Sequence, residues 1–201
     1  MSTARPYTSP KRDAQAAATR KAILDAFAEQ LSDPGRDKLS PKEAAARAGV
    51  SLRTVHVHFP NEASQIAALG EWIDTVLFPE GVIVCAGPDD LVRYFRDIHR
   101  MALRHPVFLR RWLPLSKSSA FGREVRDQRR VTRLAAIREA VKAVGAPPRE
   151  TEEATAMLLS LSGADASMTV HDHGLPLEQV PDVIARTVEL IVRDLREKAG
   201  N

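Results

Sequence analysis

Residues 39–62 read L-S-P-K-E-A-A-A-R-A-G-V-S-L-R-T-V-H-V-H-F-P-N-E, and the order of their start and stop signals decides the fold. Ser40, Pro41 and Glu43 open a helix: a serine caps, a proline occupies the first helical position, and a glutamate three residues on can reach back to the cap. The alanine run from Ala44 to Ala48 propagates easily and lets another helix approach closely. Gly49 stops it, because glycine takes the left-handed conformation of a C-terminal cap. Val50 follows as an apolar plug. Ser51 then caps a second helix, Leu52 to His58, which Pro60 ends by pushing its predecessor out of helical geometry. A capped helix, a glycine turn and a second capped helix make a helix-turn-helix, whose second helix enters the DNA major groove.

The second helix divides into two faces. Val55 and Phe59 stand four apart and point together toward the first helix. Leu52, Arg53, Thr54, His56 and Val57 cover the remaining surface. Arginine and threonine there can reach base edges or phosphates, and valine or leucine can meet a thymine methyl group. An Ala-Gly-Val-Ser turn also joins helices that never meet DNA, so the turn alone leaves both readings open.

The sequence A-A-A-R-A-G-V-S (residues 44–51), followed by T-V-H-V-H-F-P-N (residues 54–61), resembles the signature of TetR-family (tetracycline-repressor-like) transcriptional regulators. That pattern runs roughly I-A-x-x-A-G-V-S-x-x-T-[LIV]-Y-x-[HY]-F-x-x-K. Ala45, Ala48, Gly49, Val50, Ser51, Thr54, Val55, His58, Phe59 and Pro60 stand where it expects them. Ala44 replaces the usual isoleucine, His56 the usual tyrosine, and Glu62 a lysine that meets phosphate. The resemblance implies DNA contacts from Ser40, Ser51, Leu52, Arg53, Thr54, His56, Val57 and His58. His56 can still donate to phosphate. Glu62 cannot, unless it serves the start of the next helix.

Composition bounds the rest. A chain of 201 residues, 44% hydrophobic and 27% charged, allows one compact unit or two small ones with a proper core. No apolar run approaches the roughly 18 residues of a membrane span, and no hydrophobic signal core opens the chain. A single cysteine, Cys85, excludes an intramolecular disulfide and suits a reducing cytoplasm. The net charge of +3 says little, but residues 1–60 hold 10 Lys+Arg against 6 Asp+Glu, and residues 61–201 hold 19 against 20. The positive surplus accompanies the DNA motif.

The segments are expected as follows. Residues 1–13 form a basic, proline-broken tail, able to lie along phosphates or simply disordered. A helix from Ala14 to Ser32 puts Ala22, Ile23, Ala26, Phe27 and Leu31 on one face, closing a three-helix DNA-binding domain over residues 14–60. Asp33-Pro34-Gly35 breaks the chain before the motif. Residues 61–201 form a second helical domain. Its first helix runs to Phe78 and is ended by Pro79-Glu80-Gly81. Residues 82–87, V-I-V-C-A-G, have no partner strand and read as a buried loop or helix end. Helices then span Asp89–His105, Pro106–Leu115, Ser119–Val144, Glu150–His171 and Leu177–Lys198. The fold class is all-α, with about nine helices.

Other chemistry finds little support. His171-Asp172-His173 sits at a helix end, where residues two apart do not face each other, and no Cys/His set has ligand spacing. Nucleophile-elbow, Walker and dinucleotide fingerprints are missing, so no enzyme activity and no cofactor or metal are expected. Arg123, Arg126, Arg129, Arg130, Arg133 and Arg138 form a row on the long helix, read as a solvated face. Trp72, Phe95, Met101, Phe108, Trp112 and Met157 could line an apolar ligand pocket or simply fill the core. Arg104, His105 or Arg111 at such a pocket's mouth would favour an anion.

The resemblance implies an unidentified small-molecule effector whose binding releases the operator. It also implies a homodimer through the last two helices, with Leu158, Leu161, Val183, Ile184, Val188 and Ile191 at the interface. The broad stripe on residues 177–198 fits that assembly. The resulting expectation is a cytoplasmic, dimeric regulator, most simply a repressor, on a palindromic double-stranded DNA operator, with no membrane partner. The alternative is an all-α small-molecule-binding protein or enzyme with a degenerate DNA module.

Overall fold

The computed structural model describes residues 10–33, 38–77, 83–118 and 120–200, with the side chains at 74, 77, 120, 121, 125, 126 and 129 outside that description. Among the described residues every regular element is helical. Helix α1 spans Pro10–Ser32, α2 Pro41–Arg47, α3 Leu52–His58 and α4 Glu62–Leu77. A 3-10 turn at Pro88–Asp90 leads into α5, Leu91–Ala102. Then follow α6 (Pro106–Ser118), α7 (Ala120–Lys142), α8 (Pro148–Leu161), α9 (Ala164–Asp172) and α10 (Val180–Ala199). None is long and apolar enough to cross a membrane.

Two cores hold these helices. The first joins Ile23 and Phe27 of α1, Val55 of α3, Phe59, and Ile66 and Leu69 of α4 to Phe108 and Trp112 of α6. One apolar cluster therefore runs across the domain boundary expected at residue 60, with α4 and α6 both packed against α1. The second core joins Leu91, Tyr94 and Phe95 of α5, Ile137 and Val141 of α7, Leu158 of α8, and Ile184, Val188 and Val192 of α10.

Several expected boundaries shift for identifiable reasons. Helix α1 begins at Pro10, because proline is well suited to a first turn, so Pro10–Asp13 are helical where tail was expected. Residues 1–9, the Pro34-Gly35 break, the segment 78–82 and Ser119 lie outside the described residues. The single helix expected over Glu150–His171 is two helices, α8 and α9, parted at Ser162-Gly163, where Gly163 adopts an extended backbone. Residues 83–86 are irregular, and Val84 is exposed rather than part of a buried loop.

The arginine row on α7 is also not simply a solvated face. Arg123 Nη1 donates to the Lys117 and Ser118 carbonyls at the end of α6. Arg133 Nη1 donates to Ser162 O at 3.2 Å, and Arg138 pairs with Glu152 of α8 at 3.0 Å. Side chains directed at helix ends and at a neighbouring carboxylate serve packing between helices.

Candidate nucleic-acid interface

The helix-turn-helix forms by the signals that its sequence carries. Ser40 is the extended N-cap of α2, and its hydroxyl accepts from Glu43 N–H at 3.3 Å. At the other end Gly49 has φ +65°, the left-handed region where a side chain would be strained. Gly49 N–H donates to Ala46 O, and Val50 N–H donates to Ala45 O at 3.0 Å. This double closure satisfies carbonyls left open at a helix end. Ser51 caps α3, accepting from Thr54 N–H at 3.1 Å, and its hydroxyl lies 2.8 Å from that of Thr54.

Helix α3 rests on Val55 and Phe59, both fully buried. Leu52, Arg53, His56 and Val57 are exposed, with Val57 at 72%, and Thr54 and His58 are half-buried. Leu52, Arg53, His56 and Val57 thus present an apolar and basic surface that the described helices do not cover. The expected contact residues fall on one short element, apart from Ser40, which caps α2.

Two supports of this surface carry no local signal in the sequence. Gln30, 1% exposed on α1, donates from Nε2 to Ser40 O at 3.1 Å and accepts Ser40 N–H on Oε1 at 2.7 Å. The cap's own N–H is thus held by Gln30, while the Glu43 carboxylate lies 3.5 Å from Arg47. Arg20 of α1 lies 4.6 Å from the Phe59 ring centroid and reaches His58 O at 3.5 Å, clamping the exit of α3. Phe59 in turn packs edge-on against Phe27, with centroids 5.8 Å apart. A glutamine among apolar positions and an arginine on a basic helix carry no local signal, because their partners are distant in sequence.

The next helix starts as expected. Asn61 Oδ1 accepts from Ser64 N–H at 2.9 Å, and Asn61 N–H donates to Ser64 Oγ at 3.2 Å. Glu62 is the first residue of α4, at its positive dipole end.

The six aromatic and methionine positions considered for a ligand do not converge on one cavity. Trp72, Phe108 and Trp112 pack together in the first core, with Trp72 and Phe108 centroids 5.0 Å apart. Trp72 Nε1 donates to Asp25 of α1 at 3.2 Å, which ties α4 to α1. Phe95 is buried in the second core, Met101 is half-buried on α5, and Met157 is exposed on α8. The set is therefore corrected to core and surface positions.

Of the residues expected at a dimer interface, Leu158, Ile184 and Val188 are fully buried in the second core, and Leu161, Val183 and Ile191 are half-buried. The stripe on α10 is broad because α5, α8 and α9 of the same chain all pack against that helix. Leu158, Ile184 and Val188 therefore have no surface left for a second subunit, whereas Leu161, Val183 and Ile191 keep part of theirs. Met157 and Leu190 are the large apolar side chains that α8 and α10 leave exposed, at 54% and 49%.

Three of the six histidines are held by hydrogen bonds within the fold. His171 Nδ1 lies 2.8 Å from Leu175 O, His173 Nδ1 lies 2.8 Å from Thr169 O, and Asp172 pairs with Arg110 at 2.7 Å. That ion pair holds the Asp172 carboxyl below its ordinary range. His99, 1% exposed, sits between α8 and α9: Nε2 is 2.9 Å from Leu161 O and Nδ1 is 2.6 Å from Ser167 Oγ. A carbonyl only accepts, so Nε2 carries the proton, and Nδ1 of the neutral ring accepts from the serine hydroxyl. Burial holds this imidazole down at about 4.

No family model and no curated protein matches the chain. Solved structures similar to it include two from Rhodococcus. One is a transcriptional regulator from Rhodococcus sp. Rha1, with a TM-score of 0.68 and 20% identity over 88% of this chain and 97% of that one. The other is a TetR transcriptional regulator from Rhodococcus sp. RHA1, with a TM-score of 0.51 and 22% identity over 90% and 98% of the two chains. At that identity it is the fold that is shared: the chain has the fold of a TetR-type transcriptional regulator.

Proposed function

We propose that this chain belongs to the TetR family and acts as a DNA-binding transcriptional regulator in the cytoplasm. In this reading it is a repressor that occupies a palindromic operator as a dimer and leaves it when a small-molecule effector binds. The observation that carries the reading is α3. It is a seven-residue helix, capped at its start and clamped at its end, that leaves Leu52, Arg53, His56 and Val57 uncovered. Exposing two apolar side chains beside a cation has no purpose in the chain's own packing, but suits base edges and thymine methyl groups. In this reading Met157 of α8 and Leu190 of α10, both exposed, give the dimer an apolar contact surface. A two-fold dimer sets two such helices about 34–36 Å apart, one helical turn of DNA.

Selection of bound sequences from a random DNA pool tests this proposal. Enrichment of an inverted repeat supports both DNA reading and two-fold symmetry. Enrichment of no sequence, with salt-independent retention, would overturn it, because a DNA binder releases counterions and loses affinity as salt rises.

A further inference from the structure

A cleft of about 750 Å³ separates the helix-turn-helix from the body of the molecule. The end of α1, the start of α2, the α3–α4 junction and α6 form its walls. Its size is that of a small-molecule site. One wall holds Gln65 of α4, which is 4% exposed and makes no side-chain hydrogen bond among the described residues. A buried amide is normally satisfied, and one left open toward a cleft calls for a partner there. Lys38 lines the cleft with the carboxylate of Glu62, and Arg110 and Arg111 stand on its α6 wall, Arg110 paired with Asp172 at 2.7 Å. Leu31 and Leu115 supply apolar wall between the polar groups.

We infer that this cleft binds an organic monocarboxylate with an apolar body. The carboxylate accepts from the Gln65 amide and faces Lys38, and the hydrocarbon lies along Leu31 and Leu115. A phosphate ester suits the cleft less well, since Glu62 and the apolar wall oppose a compact double charge. The site borders the first core at Leu31 and Leu115, whereas Phe95 and Trp112 are buried away from it. His56 of α3 lines the same cleft, so an occupant touches the exposed helix directly and can shift its position by differential binding.

This inference goes beyond the DNA reading, and its test is read without DNA. The Gln65 side-chain amide of the full chain, labelled with nitrogen-15, is followed by NMR while octanoate or benzoate is added. Octanol and benzyl alcohol serve as neutral counterparts. Gln65→Leu assigns the signal by deleting it. Lys38→Glu, at an exposed position, keeps the fold and reverses one charge. The carboxylates should move the Gln65 signal saturably, and Lys38→Glu should weaken them about tenfold. Binding of the alcohols at least as tightly as the carboxylates, an unmoved Gln65 signal with both acids, or unchanged affinity in Lys38→Glu would overturn the site. If every sample fails to bind DNA while the amide still moves, the proposed function falls and the carboxylate site stands.

Discussion

Gln30 holds the backbone of Ser40 at both ends of one peptide residue, donating to its carbonyl at 3.1 Å and accepting its N–H at 2.7 Å. The amide thereby fixes the entry of α2 against α1, and the turn and α3 follow from that placement. Gln30→Ala should leave the Ser40 N–H unpaired in a half-buried setting, while the Ser40 carbonyl keeps the Ala44 N–H at 2.9 Å, and cost about 1–3 kcal/mol. Urea unfolding checks this. A midpoint shared with the wild type would mean that water replaces the amide at no cost.

How much of this was legible follows from where each signal lies. The cap serines, Gly49 and Pro60 act within four residues of themselves, and α2 and α3 have the bounds that those residues announce. Gln30, Arg20 and Asp25 act through partners 10, 38 and 47 positions away, so their neighbours in sequence say nothing of their roles. The stripe on α10 announces an apolar face but not that α5, α8 and α9 of the same chain cover much of it, because periodicity reports that a face is buried and not what buries it. The break at Ser162-Gly163 was missed for a related reason. A single glycine in an apolar pattern fits a close helix contact as well as a helix end.

Arg53 is exposed in the first turn of α3, with no side-chain partner among the described residues. Arg53→Ala should weaken operator binding by about 1–3 kcal/mol while leaving thermal stability unchanged. Equal losses on operator and random DNA would assign Arg53 to phosphate. No loss on either would remove α3 from the interface.

His99 makes stability depend on pH. Its imidazole titrates near 6.5 when unfolded and is held at about 4 in the fold, first by desolvation and then by the Arg133 charge. Between these values the unfolded chain binds the extra proton. Stability is therefore full above pH 6.5 and falls as pH drops toward 4, by about 3 kcal/mol in all. Unfolding midpoints for the wild type and His99→Gln, measured across that range, give the difference. Parallel curves would mean that the ring is hydrated in the folded state.

Met157 and Leu190 offer a cleaner test of assembly than any residue of the buried stripe. Leu190→Asp puts a charge on a half-exposed position and should leave the monomer folded. If α8 and α10 form the dimer, that charge is desolvated there and should yield monomers by light scattering. Dimers that persist in both Leu190→Asp and Met157→Asp would place the interface elsewhere. Val188→Asp does not distinguish these outcomes, because it charges the chain's own core.

Glu62 is the clearest departure from the TetR pattern, and α4 explains what it does instead. Asn61 caps the helix through Ser64, so Glu62 stands at the first helical position, where a negative charge gains about 0.3–1 kcal/mol from the dipole. DNA binding then rests on fewer cations, with Arg53 and the His56 donor among them. Glu62→Lys should lower stability slightly by reversing that dipole interaction. It should also tighten DNA binding and steepen the dependence of log affinity on log salt by roughly 0.9, the value of one added phosphate contact. Affinities across a salt series, with no carboxylate present, compare the two chains directly. Because Glu62 also lines the cleft beside α6, an unchanged slope would mean that the side chain at 62 turns into the cleft and not toward DNA.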